Sequence, residues 1–258
     1  MLTDEQTQIR NAARDFARAE IIPFAADWDR DHGAPRSVYR AMAEIGLMGV
    51  TTDPRYGGAG ADFVSYALAI EEISAADGGI SNVMAANNSP VGVALENLGT
   101  DWQKANYLNK LTSGEWIGCI QLTEPHTGSD AAAIPTRAIR DGDDYVIDGH
   151  KAFITAGSTA DLAMIIAVTD PAAGKRGMTA FITPTDNTGY EVVRKERKLG
   201  HRTNDTCVLA FEDMVVPAAD MLGEEGRGLA IALANLSAGR IGVAAQAVGG
   251  ARAALEAA

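Results

Sequence analysis

Leu122-Thr123-Glu124-Pro125-His126-Thr127-Gly128-Ser129-Asp130 closes an apolar, β-prone run that begins at Trp116. Hydroxyl, acid, proline, glycine, hydroxyl and acid follow one another in quick order. By composition alone the stretch is a surface turn, because Thr, Pro, Gly, Ser and Asp are the residues turns are made of. At the end of a strand, the same residues can also turn backbone N–H groups and several hydroxyls toward one flat, polar ligand. The surrounding sequence decides between the two.

Downstream, from Trp116 to about Pro217, short β-rich runs alternate with turn residues. The strands read as Trp116–Leu122, Ile134–Arg140, Tyr145–Ile154, Leu162–Val168, Met178–Ile182, Tyr190–Val193 and Thr206–Phe211, with Asp141-Gly142-Asp143 as a hairpin turn. No helix of useful length interrupts them, so the pattern predicts an antiparallel barrel or sandwich and not a βαβ sheet. Upstream the texture is helical. Thr3 and Gln6 form a capping box, and Ile9, Ala13, Phe16 and Ala17 recur at helical spacing until Pro23, which should end or kink the helix. Further helices fit Ser37 to Ile45 with Gly46 as stop signal, Asp62 to Ala75, a segment near Ser81 to Leu98, and Asp101 to Leu111. After Gly226-Arg227-Gly228 a single Ala-rich helical pattern runs from Leu229 to Ala258 and is apolar nearly all round, which predicts burial among other helices. The fold class is therefore α+β and multidomain. An all-α part spans 1–115, an antiparallel β part 116–225, and the start of a C-terminal helical bundle 226–258. The last helix has no stop signal before Ala258, so the chain is expected to be cut inside that bundle.

The bulk numbers exclude several classes. Hydrophobic residues make up 47% of 258, enough for a sizeable core, and the net charge of −12 argues against a nucleic-acid partner. Cys119 and Cys207 offer no disulfide framework, and His32, His126, His150 and His201 lie too far apart in sequence for a metal-ligand motif, so no metal is expected. The longest strongly apolar run, Leu162 to Val168, is too short to span a bilayer, and the N-terminus carries no signal-peptide pattern. Cytoplasmic location without membrane insertion is the expectation. Gly58-Ala59-Gly60 and Gly226-Arg227-Gly228 complete no dinucleotide fingerprint and read as plain loops.

The stretch Leu122 to Asp130 resembles the signature of the acyl-CoA dehydrogenases, with Leu122, Thr123, Glu124, Gly128, Ser129, Asp130 and Ala133 in place and Thr127 where a smaller residue is commoner. Lys151-Ala152-Phe153-Ile154-Thr155-Ala156-Gly157 is similar to a second run of that family, with Ala156 replacing the usual Asn. Five more pieces agree in order: Pro54 to Gly58, Gly99 to Glu115, Lys198 to Arg202, Phe211 to Pro217 and Arg240 to Ala244. The resemblance covers nearly the whole chain and reverses the surface-turn reading. It implies that FAD is bound by Ile120, Gln121, Leu122, Thr123, Gly128, Ser129, Phe153, Ile154 and Thr155. Phe153 would pack on the flavin and the Thr155 hydroxyl would bond it near N5. Ser129, Ser237 and Arg240 would approach an acyl-CoA. Arg240, alone in an apolar helix, should pair or reach a ligand, because an unpaired buried charge is costly.

In this family a carboxylate removes the α-proton of the thioester while hydride leaves Cβ for flavin N5. The catalytic base usually lies late in the C-terminal bundle, and in some members directly before the arginine matching Arg240. Here that position is Gly239, so the base is expected beyond Ala258. Glu124, Asp130 and Asp213 read as turn or strand-end residues, and Lys175 as a solvated lysine. The resemblance further implies a role in fatty acid or amino acid catabolism, an electron-transfer flavoprotein as electron acceptor, and a homotetramer. A chain ending at Ala258 should bind FAD weakly or not at all. Two alternatives share the scaffold: a flavin monooxygenase or nitroalkane-oxidising enzyme, and a non-catalytic partner subunit.

Overall fold

A computed structural model describes residues 1–258. Helices fill the first part: α1 (Asp4–Phe16), α2 (Ile22–Asp31), α3 (Arg36–Glu44), α4 (Phe63–Ala76), α5 (Gly78–Ala86), α6 (Val93–Leu98), α7 (Asp101–Gln103) and α8 (Asn109–Thr112). The capping box of α1 forms in both directions, Gln6 N–H to Thr3 Oγ1 at 3.1 Å and Thr3 N–H to Gln6 Oε1 at 3.0 Å. Pro23 does not end the helix. A π-turn, Ala17–Ile21, places it in the first turn of α2, where its missing N–H is not required. Gly46 ends α3 as expected, at a φ of 78°. The single segment expected near Ser81 to Leu98 is split by a second π-turn, Asn87–Gly92, in which Ser89 is extended (φ −148°, ψ 122°).

Eight strands follow: β1 (Gly118–Gln121), β2 (Arg137–Asp141), β3 (Asp144–Thr155), β4 (Leu162–Val168), β5 (Met178–Pro184), β6 (Tyr190–Lys195), β7 (Thr206–Pro217) and β8 (Met221–Leu222). They form one sheet in the order β6-β7-β3-β2-β4-β5-β8, with β1 also on β4. The predicted strands are all present, with β8 in addition. Pairing is antiparallel except at β4, which meets β1 along Leu162–Ile165 and β2 at Val168 in parallel. The Asp-Gly turn joins β2 to β3 with Gly142 at a φ of 61°. β4 is buried on both faces. Its odd residues Ala163, Ile165 and Ala167 enter the core shared with α1 to α5, while Leu162, Met164 and Ile166 enter a second core under α6, α8 and the last helix. A continuous apolar run is the sequence signature of such a doubly covered strand.

The last helix, α9 (Gly228–Ala257), is less enclosed than its all-round apolar pattern predicts. Leu229, Ile231 and Ala232 are buried, but Leu233, Ile241, Val243, Val248 and Leu255 face outward. By length and composition α9 could cross a membrane, its best 18-residue window having a mean hydropathy of 1.4, although a third of that window is buried inside the protein. Its second half lies on α4 and α5 through a seam of small and polar residues. A side chain at Gly242 would strike the Tyr66 hydroxyl, and one at Gly249 the Glu71 carbonyl. Between them Gln246 Nε2 donates to Gly78 O (2.8 Å) and Ser81 Oγ (2.7 Å).

Beyond the seam, Arg252 Nη2 (2.6 Å) and Arg14 Nη2 (2.7 Å) clasp the buried Glu72 carboxylate, joining α9, α4 and α1. Burial works to raise the Glu72 carboxyl, but hydrogen bonds from Arg252 and Arg14 outweigh it and hold it below the ordinary glutamate value. A carboxyl depressed in the folded state adds stability above its unfolded pKa, and that stability is lost as pH falls through the folded value. Glu72→Gln is accordingly expected to cost about 1.5–3 kcal/mol near neutral pH and to flatten the acid side of the stability profile. Urea melts of both proteins from neutral to acid pH check this; equal slopes would mean that Glu72 is not the titrating link.

Candidate active site

The loop after β1 and the end of β3 meet in front of α5 and α9. Between them lies a cleft of about 470 Å³. Ile120, Leu122, Thr123, Gly128, Ser129, Phe153, Ile154 and Thr155 line one side, and Asn82, Ala85, Ala86, Ser89, Pro90, Leu233, Leu236, Gly239, Arg240 and Val243 the other. A larger cavity of about 590 Å³ lies elsewhere, beside Trp102, Tyr107 and Asp220, and includes none of the residues read from the sequence. The cleft is the stronger candidate because it gathers two separate motifs on one ligand-sized surface.

Phe153 reaches the cleft through an irregularity in β3. Tyr145, Ile147 and Lys151 point inward at a period of two, and Phe153 should follow them. Instead the register slips between Lys151 and Ile154, opposite Leu209 and Cys207. Phe153 takes a φ of 57° and turns outward, 67% exposed. A bulge of this kind redirects a side chain at the cost of a strained backbone. The Ala152 N–H, freed from the ladder, donates to Thr123 O at 2.8 Å and ties the bulge to the loop.

Beneath the loop lies a buried ion pair. The Lys151 and Glu124 side chains are 0% and 1% exposed, with Nζ 2.8 Å from Oε1. Nζ also donates to Ile166 O (2.7 Å) and Leu122 O (3.3 Å), and the Thr136 N–H donates to the Glu124 carboxylate. Burial pulls the Lys151 ammonium down to about 8, against the raising pull of Glu124. Glu124 is thus more than turn support. Strand alternation from Tyr145 and Ile147 places Lys151 on the inner face, and this was the sequence signal that a buried acid had to be sought.

Two residues of the predicted set lie off the cleft. The Gln121 side chain turns the other way and bonds the Tyr190 hydroxyl at 2.9 Å. The Ser237 hydroxyl bonds back to Leu233 O at 3.2 Å along its own helix. Arg240 lines the cleft but is exposed, so water solvates it and no buried partner is required. Lys175 sits in a solvent-facing turn away from the cleft, as its solvated reading implies. Sequence reading missed Asn82, Ser89 and Pro90, although the Ser-Pro pair was a turn signal inside an apparent helix.

The donor set fits a flat, polar-edged ring. The Thr123, Ser129 and Thr155 side chains and the exposed Phe153 ring face one space, and the Thr123 N–H donates to no protein acceptor. Behind Thr155, Asp205 anchors the next turn by accepting from the Ser158 N–H (2.8 Å) and the Thr159 hydroxyl (2.7 Å).

A helical part, a largely antiparallel sheet and a hydroxyl-edged cleft between them define a class of ligand-binding α+β protein. Residues 3–115 match the family model for the acyl-CoA dehydrogenase N-terminal domain, and residues 119–214 that for the middle domain. An acyl-CoA dehydrogenase of Bacillus subtilis (strain 168) is 44% identical over 99% of this chain and 67% of its own length. Among solved structures, butyryl-CoA dehydrogenase from Megasphaera elsdenii aligns with a TM-score of 0.95 at 38% identity, covering 99% of this chain and 68% of that one. A chain from the structure described as the electron transferring flavoprotein of Acidaminococcus fermentans aligns at 0.97 and 40% identity, covering 99% and 67%. The chain belongs to the acyl-CoA dehydrogenase family, and it spans about two thirds of the length of these relatives.

Ala156, where the family run carries Asn, is buried with a φ of 57°, a region that Asn tolerates and Ala does not favour. Ala156→Gly is therefore expected to stabilise the chain by about 0.5–1 kcal/mol. Equilibrium urea unfolding measures it, and a loss of stability would mean that the Ala156 methyl contributes more by packing than its backbone strain costs.

Proposed function

We propose that this chain forms the flavin-facing part of an FAD-dependent acyl-CoA dehydrogenase, which removes a proton from Cα of a thioester while hydride leaves Cβ. The observation that carries the reading is the meeting of Thr123, Ser129, Phe153 and Thr155 in one cleft, from two motifs about thirty residues apart. FAD held there would supply the hydride acceptor, N5.

In this reading the Thr123 N–H and hydroxyl and the Thr155 hydroxyl donate to the polar edge of the ring. Donors placed where negative charge develops lower the barrier without reorganising. Phe153 covers one face and excludes water. Ser129 and Arg240 orient the acyl-CoA, Arg240 as an exposed cation at the cleft edge. Ser237 and Gln121 are left with supporting roles through the main chain. The electron-transfer flavoprotein as acceptor, the homotetramer, a cytoplasmic place and a role in acyl or amino acid breakdown belong to the same proposal and rest on the family resemblance.

No residue lining the cleft is a carboxylate. The general base of the reaction is accordingly proposed to come from outside the present lining. Gly239 supplies a direct test, because a Cβ there meets nothing nearer than Ser89 O at 3.9 Å. With FAD added in large excess under nitrogen, to fill a site expected to be weak, the chain as it stands is expected to show no bleaching with butyryl-CoA or longer acyl-CoAs. Gly239→Glu is expected to bring slow but measurable bleaching at about 450 nm, a gain of at least ~100-fold typical of a positioned base. Bleaching by the unmodified chain would place the acid elsewhere within it. Should a chain that contains this one and has the full length of its relatives, carrying flavin, be bleached by no acyl-CoA, the dehydrogenase reading falls.

A further inference from the structure

Lys151 is the only basic side chain among the buried residues, and its ammonium uses all three donors, on Leu122 O, Glu124 Oε1 and Ile166 O. Leu122 and Thr123 share a peptide bond. It is trans, since the single cis bond of the chain is Ser89–Pro90. In a trans peptide the C=O and N–H point opposite ways. The cation holds the Leu122 carbonyl toward the interior of the sheet, so the Thr123 N–H points away from it. Thr123 lines the cleft, and its N–H has no protein acceptor. The same residue is fixed at its carbonyl by the Ala152 N–H, 2.8 Å away, and Ala152 is the neighbour of Lys151 in the chain. One side chain thus sets both the direction of this N–H and the loop that carries it.

A buried ion pair is weak evidence for stability, because desolvation offsets most of the attraction and a neutral pair of similar shape often serves as well. What the pair does provide is a full charge on the acceptor end of a peptide whose donor end is free. A charged hydrogen bond polarises the group it touches and strengthens the bond made at the other end.

We propose that Lys151 is a positioning residue of the cleft: its ammonium fixes the Leu122–Thr123 peptide with the N–H turned toward the ligand, and strengthens that N–H as a donor to the electron-rich edge of a bound ring. The inference rests on the flavin reading of the cleft. Such a donor favours the reduced ring over the oxidised one, because reduction places negative charge at that edge.

Two double variants separate position from charge. Lys151→Met with Glu124→Gln removes both charges and keeps an acceptor for the Thr136 N–H. Lys151→Gln with Glu124→Gln is neutral but keeps a donor for Leu122 O. The readouts are the melting temperature, hydrogen exchange of the Glu124, Thr127 and Ala152 amides in the flavin-free chain, and the ratio of affinities for dithionite-reduced and oxidised FAD. The Met/Gln variant is expected to melt within about 4 °C of the wild type, to exchange those amides at least about tenfold faster, and to lose at least about fivefold of the preference for reduced FAD. The Gln/Gln variant should keep slow exchange but lose the preference. Double variants that match the wild type in exchange and in preference would overturn the inference. A wild type that binds neither form of FAD sinks the flavin reading instead; exchange then decides the positioning role by itself, and unchanged exchange in the Met/Gln variant overturns it. Should only the Gln/Gln variant fold, exchange of these amides at least about tenfold faster in it than in the wild type overturns the role of the donor to Leu122 O.

Discussion

The buried contact between Lys151 and Glu124 is the constraint on which the rest of the cleft depends. Neither charge can be left alone at that depth, so Glu124 must come in from the loop and Lys151 from β3. Their meeting fixes where the chain leaves β1, where β3 departs from its regular register and which peptide faces the cleft. The third acceptor, Ile166 O, lies on β4, the strand that separates the two cores. Loop, bulge and central strand are therefore held by one ammonium, and the cleft inherits the rigidity of the sheet.

The bulge makes the arrangement useful. Without the extra residue between Lys151 and Ile154, alternation would send Phe153 into the core with Lys151. With it, a cation and an aromatic ring two positions apart face opposite ways. The positive φ of Phe153 is the strain this requires, and the bond from the Ala152 N–H to Thr123 O holds it in place. The helical wall contributes differently. Its π-turn at Asn87–Gly92 brings Ser89 and Pro90 to the cleft, where a continued α-helix would have presented other residues.

Much of this is legible in the sequence itself. Strand positions followed from β-branched and apolar runs, since β4 and β5 have no alternative at their length and apolarity. The gathering of Leu122–Ser129 with Phe153–Thr155 followed from the family-like motifs alone, because their contact is a tertiary event between segments with no periodic relation. What escaped was local irregularity. Pro23 read as an end or a kink, and a π-turn absorbed it within a continuing helical path. The helix near Ser81 to Leu98 read as continuous, since periodicity averages over a single extended residue such as Ser89. Gln121 was carried along with its neighbours, although strand alternation alone places it on the face opposite Ile120 and Leu122. The parallel contacts of β4 were hidden because residue patterns reveal strands but not the direction of their partners.

The seam under the second half of α9 has a thermal consequence. Gly242, Gln246 and Gly249 join α9 to α4 and α5 through close backbone approach and hydrogen bonds, with little apolar surface covered. Lifting that half-helix exposes polar groups, whose hydration lowers the heat capacity, in contrast to the apolar surface exposed when either core opens. Its local stability thus changes less steeply with temperature than that of the body. On cooling, the cores lose part of their hydrophobic drive while the seam does not, so the order in which the parts loosen depends on whether the chain is chilled or heated.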